Sequence, residues 1–166
     1  MEVYDAIEKR RSVRKFRPIP VPEGLLKRIL TAGTQAPNAF NREPWEFIIV
    51  KDMELKEKIA QMRIKIPPQM TAIDTAPLLI VVCYDNELGE DALASAYACI
   101  ENILLAATAE ELGAVTLTFH SKKIKELLEI PEGFDVAAVM PLGYPDDDTK
   151  KPGRIPVDEK IHSNRF

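Results

Sequence analysis

The sequence predicts an α+β or mixed α/β sandwich, and two observations support this fold class. Stretches with helical periodicity alternate with short apolar runs typical of strands, in the order helix, helix, strand, helix, strand, helix, strand, helix, strand. The length of 166 residues suits a single domain, residues 1–166, with a hydrophobic core of its own. No GxGxxG or P-loop motif is present, so a phosphate is not expected to bind as it does in dinucleotide-binding or P-loop folds.

The first half of the chain is predicted to contain three helices and one strand. The helices cover 2–10, 22–33 and about 52–62, and the strand covers 45–50. Pro22 suits a first helical turn, and Asp52 is a helix cap. A loop rich in turn residues, 34–44, precedes the strand.

The second half is predicted to contain three strands, two helices and two irregular segments. The strands are 78–84, 113–118 and 136–142, and the helices are 91–112 and 121–129. Residues 64–76 are expected to be irregular because Pro67 and Pro68 interrupt them. Residues 145–166 are a polar C-terminal extension with no core of its own, either disordered or laid over something else, such as a partner subunit.

The helix predicted at 91–112 is apolar nearly all round. Its strongly polar residues between 94 and 109 are Ser95, Glu101, Asn102 and Thr108. Such a helix must be buried on every side. The sequence leaves open whether the rest of the chain or a second subunit covers it.

Composition excludes several classes of function. The chain is 46% hydrophobic and 29% charged, with a net charge of −4, which argues against a nucleic-acid-binding protein. We expect no membrane span, and the acidic start at Glu2 and Asp5 predicts a cytoplasmic protein. Cys83 and Cys99 are predicted to be small buried hydrophobes, and no metal site is expected.

A basic block opens the chain. Residues 9–17 contain six cations, among them Arg10, Arg11 and Arg14, and also the hydroxyl of Ser12. Arginine grips phosphate bidentately, so the block suits one bound anion. A solvated helix end or a nucleic-acid patch would have the same composition, and these residues alone do not decide among the three.

Three separated segments together carry a family resemblance. They are Arg10–Phe16, then Thr31–Trp45 with Glu43-Pro44-Trp45 at its end, and finally Leu142–Pro145 with Lys151–Pro156. Leu112–Thr118 also matches, so the likeness spans nearly the whole chain. In this order the segments resemble the nitroreductase family of FMN-dependent oxidoreductases. Glu43, where glutamine is commoner, is similar to the iodotyrosine deiodinase branch.

The resemblance implies a fold, an assembly and a reaction. The fold is a three-layer α/β/α sandwich with a mixed sheet of about four strands. A C-terminal arm is exchanged between the subunits of a homodimer, which holds FMN at its interface. The reaction is hydride transfer from NAD(P)H through flavin N5 to an electron-poor acceptor, such as a nitroaromatic or quinone, by a ping-pong mechanism. The alternatives are a flavin-fragmenting or dehalogenating relative and a non-catalytic flavin-binding protein.

The resemblance also implies which residues contact FMN. Arg14 lies beside flavin N1 and O2 and stabilises charge there, and Thr118 lies on the N5 side; these two are the implied catalytic residues. The implied cofactor-binding residues are Arg10, Arg11, Ser12, Val13, Arg14, Lys151 and Arg154 in one subunit, Pro37, Asn38, Ala39 and Asn41 in the other, and Thr118, Phe119 and His120 near N5. Strand packing would equally explain Thr118 and Phe119, and a surface helix start would explain His120.

Two departures from the family pattern affect the expected substrate. Asn38 stands where a serine is usual. The stretch 63–74 lacks the acidic, aromatic and basic lid residues with which deiodinases grip an amino acid. Deiodinase activity is therefore not expected, and a short, proline-broken lid predicts an open site with weak substrate selectivity.

Overall fold

The computed structural model describes residues 1–119 and 122–166, and these contain six α-helices and four strands. The helices are α1 (Val3–Lys9), α2 (Glu23–Thr34), α3 (Met53–Gln61), α4 (Pro67–Thr75), α5 (Gly89–Ala109) and α6 (Lys122–Leu127). The strands are β1 (Trp45–Val50), β2 (Leu78–Asp85), β3 (Gly113–Ala114) and β4 (Phe134–Gly143).

The four strands form one sheet in the order β1-β2-β4-β3. β2 and β4 lie at its centre, and β1 is an edge strand. All three ladders between these strands are antiparallel, so the expected mixed sheet is wrong in this respect. The parallel contact that the described residues do make is a single bridge between Ser12 and Ala114, outside the strands.

Alternate side chains of β2 face two different cores. Leu78, Ile80 and Val82 pack with α2 and α5, while Leu79, Val81 and Cys83 pack with α3, α4 and α6. This period of two places helices on both faces of the sheet. The three-layer sandwich predicted from the resemblance is confirmed.

The segment predicted to be irregular contains helix α4. Pro67 and Pro68 occupy its first positions, where a missing N–H costs nothing and the fixed φ favours a helix. Ala72 and Ile73 are fully buried on its inner face. The prolines therefore begin a helix, and the expectation of a proline-broken lid is wrong.

The strand predicted at 113–118 is only two residues long in the structure. Leu117 later exchanges two backbone hydrogen bonds with Val139, in the register set by Ala114 and Leu142. That register places Pro141 opposite Val115, where the next hydrogen-bonded pair would form. Because proline has no N–H, the ladder is interrupted there.

Helix α5 is buried on one side only. Eight of its residues are buried, including Cys99, Ile103 and Ala107, but Ala94, Tyr97 and Glu101 are exposed. Burial on every side within one chain is therefore wrong. By length and composition alone the segment Asn86–Ala109 could cross a membrane, but its buried face packs on α2 and the sheet, as in a core helix.

Several apolar side chains at the chain ends lie in solvent. In α1 only Ala6 is buried, while Val3, Tyr4 and Ile7 are exposed. In the C-terminal extension the exposed apolar residues are Ile155, Val157, Ile161 and Phe166. As the sequence predicts, residues 145–166 form no core, and a short 3-10 turn, Val157–Lys160, is their one regular element in the structure.

Candidate functional site: a cationic cavity between the chain ends

The basic block is fixed against the edge of the sheet by backbone hydrogen bonds. Val13 N–H donates to the carbonyl of Ala114 over 3.1 Å, and Arg17 N–H donates to the backbone carbonyl of Tyr144 over 2.9 Å. Val13 is buried on Gly113, where a Cβ would lie 2.4 Å from Val13 Cγ2. Only glycine lets the block approach this closely.

The block and the C-terminal extension enclose a cavity of about 110 Å³. We call it the cationic cavity. Its lining includes six cations, and none of the described residues that line it is acidic. The lining residues are Arg10, Arg11, Ser12 and Arg14 from the block and Thr149, Lys150, Lys151, Pro152 and Arg154 from the extension. Two segments about 140 positions apart in the sequence thus meet around one small space that suits an anion.

Arg11 and Asp147 pair at the edge of this cavity. Arg11 Nη1 donates to Asp147 Oδ1, and Nη2 donates to the Asp147 carbonyl over 2.7 Å. Arg14 N–H donates to Asp147 Oδ2 over 2.9 Å. Burial opposes ionisation of Asp147, but the hydrogen bonds from Arg14 and Arg11 and the charge of Arg11 outweigh it and lower the pKa of the carboxyl.

The other basic residues predicted to bind the cofactor form a longer ion pair or donate hydrogen bonds to backbone carbonyls. Arg10 Nε lies 3.7 Å from Glu101 on α5, and Arg154 Nη1 donates to the carbonyls of Pro152 and Gly153. Lys151 Nζ donates to the carbonyls of Ile7 and Glu8 over 2.8 and 2.9 Å. Lys151 therefore satisfies the open C-terminal end of α1 and fixes the extension to it.

The loop Pro37–Asn41 does not line the cationic cavity. Ala39 N–H donates to Ser95 Oγ over 3.0 Å, and Asn38 Oδ1 accepts from Glu43 N–H over 2.8 Å. Phe40 and Asn41 both have φ of 55°, in the left-handed region that costs non-glycine residues energy. Phe40 is also 82% exposed. This loop holds a strained conformation that displays an aromatic ring to solvent.

Thr118 and Phe119 line a different cavity, of about 610 Å³. The side chain of Arg63 joins them, because its Nη2 donates to the Thr118 carbonyl and its guanidinium lies 3.8 Å from the centre of the Phe119 ring. Thr118 is exposed and Phe119 is buried. His120, the remaining predicted residue of this group, lies outside the described residues.

The two cysteines are buried thiols, as predicted. Burial raises the pKa of Cys83 to about 11 and that of Cys99 to about 12. Both are protonated and shielded at neutral pH, so neither is a nucleophile. Within residues 1–119 and 122–166, no group of three His, Cys, Asp or Glu residues is arranged to hold a metal ion.

Comparison with known proteins places the fold and its motifs in one family. Residues 7–144 match the family model described as the nitroreductase family. The chain belongs to the nitroreductase family. The resemblance seen in the sequence is thereby confirmed, and so is the expected class of enzyme, an oxidoreductase of this family.

Individual nitroreductase-family relatives cover nearly the whole chain. A Methanothermobacter thermautotrophicus protein with the provisional name NADH dehydrogenase/NAD(P)H nitroreductase is 38% identical over 87% of this chain and 78% of its own length. The iodotyrosine deiodinase of Nematostella vectensis is 26% identical, over 95% of this chain and 73% of its own length. The FMN-dependent nitroreductase of Clostridium difficile superimposes with a TM-score of 0.85 and 29% identity, over 97% and 98% of the two chains.

Sequence reasoning missed two residues of this nitroreductase-family structure, Asp147 at the edge of the cationic cavity and Arg63 in the lining of the other cavity. Asp147 stands in a run of three aspartates that looks like a solvated loop, and nothing local indicates that it pairs with Arg11. Arg63 follows α3, at the start of the stretch 63–74 that was compared with the deiodinase lid. A lone arginine among apolar residues, Met62 and Ile64, was the available signal that its side chain is used.

Proposed function

We propose that this member of the nitroreductase family is an FMN-dependent NAD(P)H oxidoreductase. The observation that carries the proposal is the cationic cavity, where the basic block and the C-terminal extension bring six cations around about 110 Å³. A phosphate monoester carries nearly two negative charges at neutral pH. The cavity has the charge, size and fork-shaped donors that such a group requires.

The cations of the cavity have different roles in this proposal. Arg10 and Arg154 hold the phosphate, since the contacts given for their side chains are a long ion pair and hydrogen bonds to backbone carbonyls. The hydroxyl of Ser12, which also lines the cavity, adds a donor. Arg11 is held by Asp147 and Lys151 by α1, so both chiefly position the segments that form the cavity. Val13 attaches the basic block to the sheet, because its buried side chain packs on Gly113.

Arg14 is the proposed catalytic residue. Its backbone N–H is fixed by Asp147, and the residue itself is exposed beside the phosphate site. A guanidinium in this position stabilises negative charge on a bound electron carrier, which is electrostatic catalysis by a preorganised group. FMN, when bound, supplies the redox chemistry, accepting a hydride and passing electrons to an electron-poor acceptor. Thr118 is proposed to line the N5 side.

We further propose that the enzyme is a homodimer. Pro37, Asn38, Ala39 and Asn41 do not line the cationic cavity of their own chain, and in this proposal a second copy brings them to the same cofactor. The exposed strip of α5 at Ala94 and Tyr97 and the exposed side chains of α1 supply apolar surface for such a contact.

The C-terminal arm of one copy is proposed to lie on the other. Beside the edge strand β1 is a groove of about 780 Å³, whose apolar lining includes Leu26, Leu30, Ile49 and Leu55. An edge strand offers unpaired backbone groups to a second chain. Ile155 and Val157 are exposed at the alternate spacing that an added strand uses to fill such a groove.

The experiment is anaerobic reduction of the purified protein. Flavin absorption of the protein, reconstituted with FMN where necessary, should bleach on addition of NADH or NADPH and recover with a nitroaromatic or quinone. A protein that stays colourless after FMN addition would overturn the proposal. Tight FMN that neither nucleotide reduces would instead favour a flavin-carrying protein. We expect the enzyme in the cytoplasm.

A further inference from the structure

We propose that the cavity around Arg63 is an anion site that binds a phosphate or carboxylate group of the enzyme's substrate. This inference rests on the proposed function, because it concerns the substrate side of the same enzyme. The cavity measures about 610 Å³ and lies between the end of α3, residues 118–119 and the beginning of α6. The described residues of its lining include three cations, Lys58, Arg63 and Lys123, and no acidic residue, although Lys58 forms an ion pair with Glu54 over 2.6 Å outside the lining.

Arg63 is held in place by groups that leave its charge uncompensated. Its Nη2 donates to the Thr118 carbonyl, and its guanidinium plane lies over the Phe119 ring. Neither partner is an anion. Both contacts orient the guanidinium while leaving its charge to act on the cavity.

The Nε of Arg63 is buried and has no hydrogen-bond partner among the described residues. The same burial lowers the pKa of Arg63. A desolvated donor of a charged group without a partner is costly to the fold. An anion that accepts from this edge of the guanidinium would remove that cost, which is the physical reason to expect one.

The position of the cavity connects it with the substrate. Thr118 and Phe119 belong to the stretch that, in the proposed function, borders the N5 side of the flavin. The cationic cavity for the phosphate has a separate set of lining residues, so the two sites take different anions. The anion at Arg63 therefore belongs to a reactant, either a phosphate of the nicotinamide nucleotide or a carboxylate on the acceptor.

Two variants test the role of this charge. Arg63→Gln keeps an amide donor for the Thr118 carbonyl but removes the charge. Lys65→Gln is the matched control, since Lys65 is exposed two positions away and does not line the cavity. The first measurement is calorimetric titration of inorganic pyrophosphate and of 4-nitrobenzoate into wild type and both variants, each saturated with FMN so that the other cavity is filled.

The proposal predicts that Arg63→Gln weakens binding of at least one of these anions about tenfold or more, as the loss of a charge-assisted hydrogen bond would. Lys65→Gln should bind like wild type. If Arg63→Gln weakens pyrophosphate binding and raises the KM for NADH or NADPH by a similar factor, the bound anion is a phosphate of the nucleotide. A rise in KM for 4-nitrobenzoate, but not for its neutral methyl ester, identifies an acceptor carboxylate.

Equal anion binding in wild type and Arg63→Gln would overturn the inference, and so would a KM that rises equally for charged and neutral acceptors. Failure of the proposed function would instead be seen as a wild-type protein that does not take up FMN. If wild type does not take up FMN, the titrations are run on the protein as purified, with Arg154→Ala as the background that removes the competing phosphate site. Arg63 is then judged by the same tenfold criterion.

Discussion

The guanidinium of Arg11 grips both the side chain and the backbone carbonyl of Asp147, across 136 positions of the sequence. Their side chains are only 21% and 14% exposed. This pair fastens the C-terminal extension to the basic block, and at the same time places one negative charge beside the cationic cavity. The cavity is therefore held in shape by a carboxylate that opposes the binding of an anion.

Asp147→Asn should separate these two effects. Removal of the charge raises the positive potential of the cavity, so the Kd for FMN should fall about threefold or more. The lost ion pair should lower the free energy of unfolding by about 1 kcal/mol. Fluorescence titration and urea unfolding measure the two quantities, and weaker FMN binding in the variant would show that Asp147 chiefly orients Arg11.

The stability difference between wild type and Asp147→Asn should also depend on pH. The folded-state pKa of Asp147 is lowered, so its contribution is fully present well above the unfolded value of about 3.9 and is lost as pH falls through the folded pKa. Unfolding measured between pH 7 and pH 3 should show the difference shrinking below about pH 4. A difference that stays constant to pH 3 would contradict this assignment.

Arg14→Ala should slow flavin reduction more than it weakens FMN binding. The residue is fixed at the cavity through its backbone N–H, which alanine retains, and only the guanidinium that stabilises charge is lost. We expect the anaerobic reduction rate to fall about 100-fold, with partial recovery in Arg14→Lys. Stopped-flow absorbance measures the rate, and a loss of flavin with an unchanged rate per bound FMN would contradict the role.

Arg154→Ala should have the opposite effect. Its guanidinium lines the cavity and, among the described residues, donates only to the backbone carbonyls of Pro152 and Gly153, so it is the donor most available to a phosphate. We expect FMN affinity to fall at least about tenfold, with little change in the reduction rate of the enzyme that retains flavin. Arg28→Ala is the control, because Arg28 pairs with Glu110 elsewhere on the surface.

Gly113→Ala should disturb the site through packing alone. The new Cβ would lie 2.4 Å from Val13 Cγ2 and 2.8 Å from its Cβ, so the basic block would have to move off the sheet. We expect a loss of about 1–3 kcal/mol in the free energy of unfolding, together with weaker FMN binding. Gly24→Ala is the matched control, since nothing lies within 4 Å of a Cβ there, and a helical alanine should stabilise.

The outcome that would count against this packing argument is a Gly113→Ala protein as stable as Gly24→Ala. Such a result would mean that the block is loosely attached to the sheet. The cationic cavity would then need FMN itself to assemble.

Val157→Asp should weaken the proposed homodimer. The side chain is 68% exposed in one copy, so the change costs little in a monomer, but it would place a charge in the apolar groove of the partner. Light scattering should show a monomer–dimer equilibrium shifted at least tenfold toward monomer, and FMN binding should fall with it. Lys160→Ala is the control from the same turn. A wild-type monomer that holds FMN tightly would refute the dimer.

The sequence predicted the fold well where side-chain periodicity determines it. The continuous apolar run Leu78–Val82 and the apolar residues at helical spacing in α2, such as Leu26 and Ile29, are local patterns that indicate burial directly. The errors occur where the effect of a proline depends on its position in a helix or on the strand that it faces. Pro67 begins a helix because it stands at the first position, and Pro141 interrupts a ladder from the opposite strand, which no reading of residues 113–118 alone reveals.

The candidate site was predictable only in part for a similar reason. The basic block and Arg154 are visible as charges, and the family resemblance brings them together. Asp147 and Arg63 act through contacts with residues 136 and 55 positions away. The sequence around Asp147 carries no signal of its role, and around Arg63 the one signal is a charge between the apolar residues Met62 and Ile64. The proposed contribution of Pro37–Asn41 involves a second copy of the chain, and the sequence indicates it through the family resemblance alone.

The most direct test is a crystal structure of the protein grown with FMN. The account predicts that the phosphate lies within hydrogen-bond distance of Ser12 and Arg154, with Arg14 beside the isoalloxazine and the loop Pro37–Asn41 of a second copy on its other side. An isoalloxazine bound away from Arg14, or a cationic cavity that stays free of phosphate at saturating FMN, would contradict it.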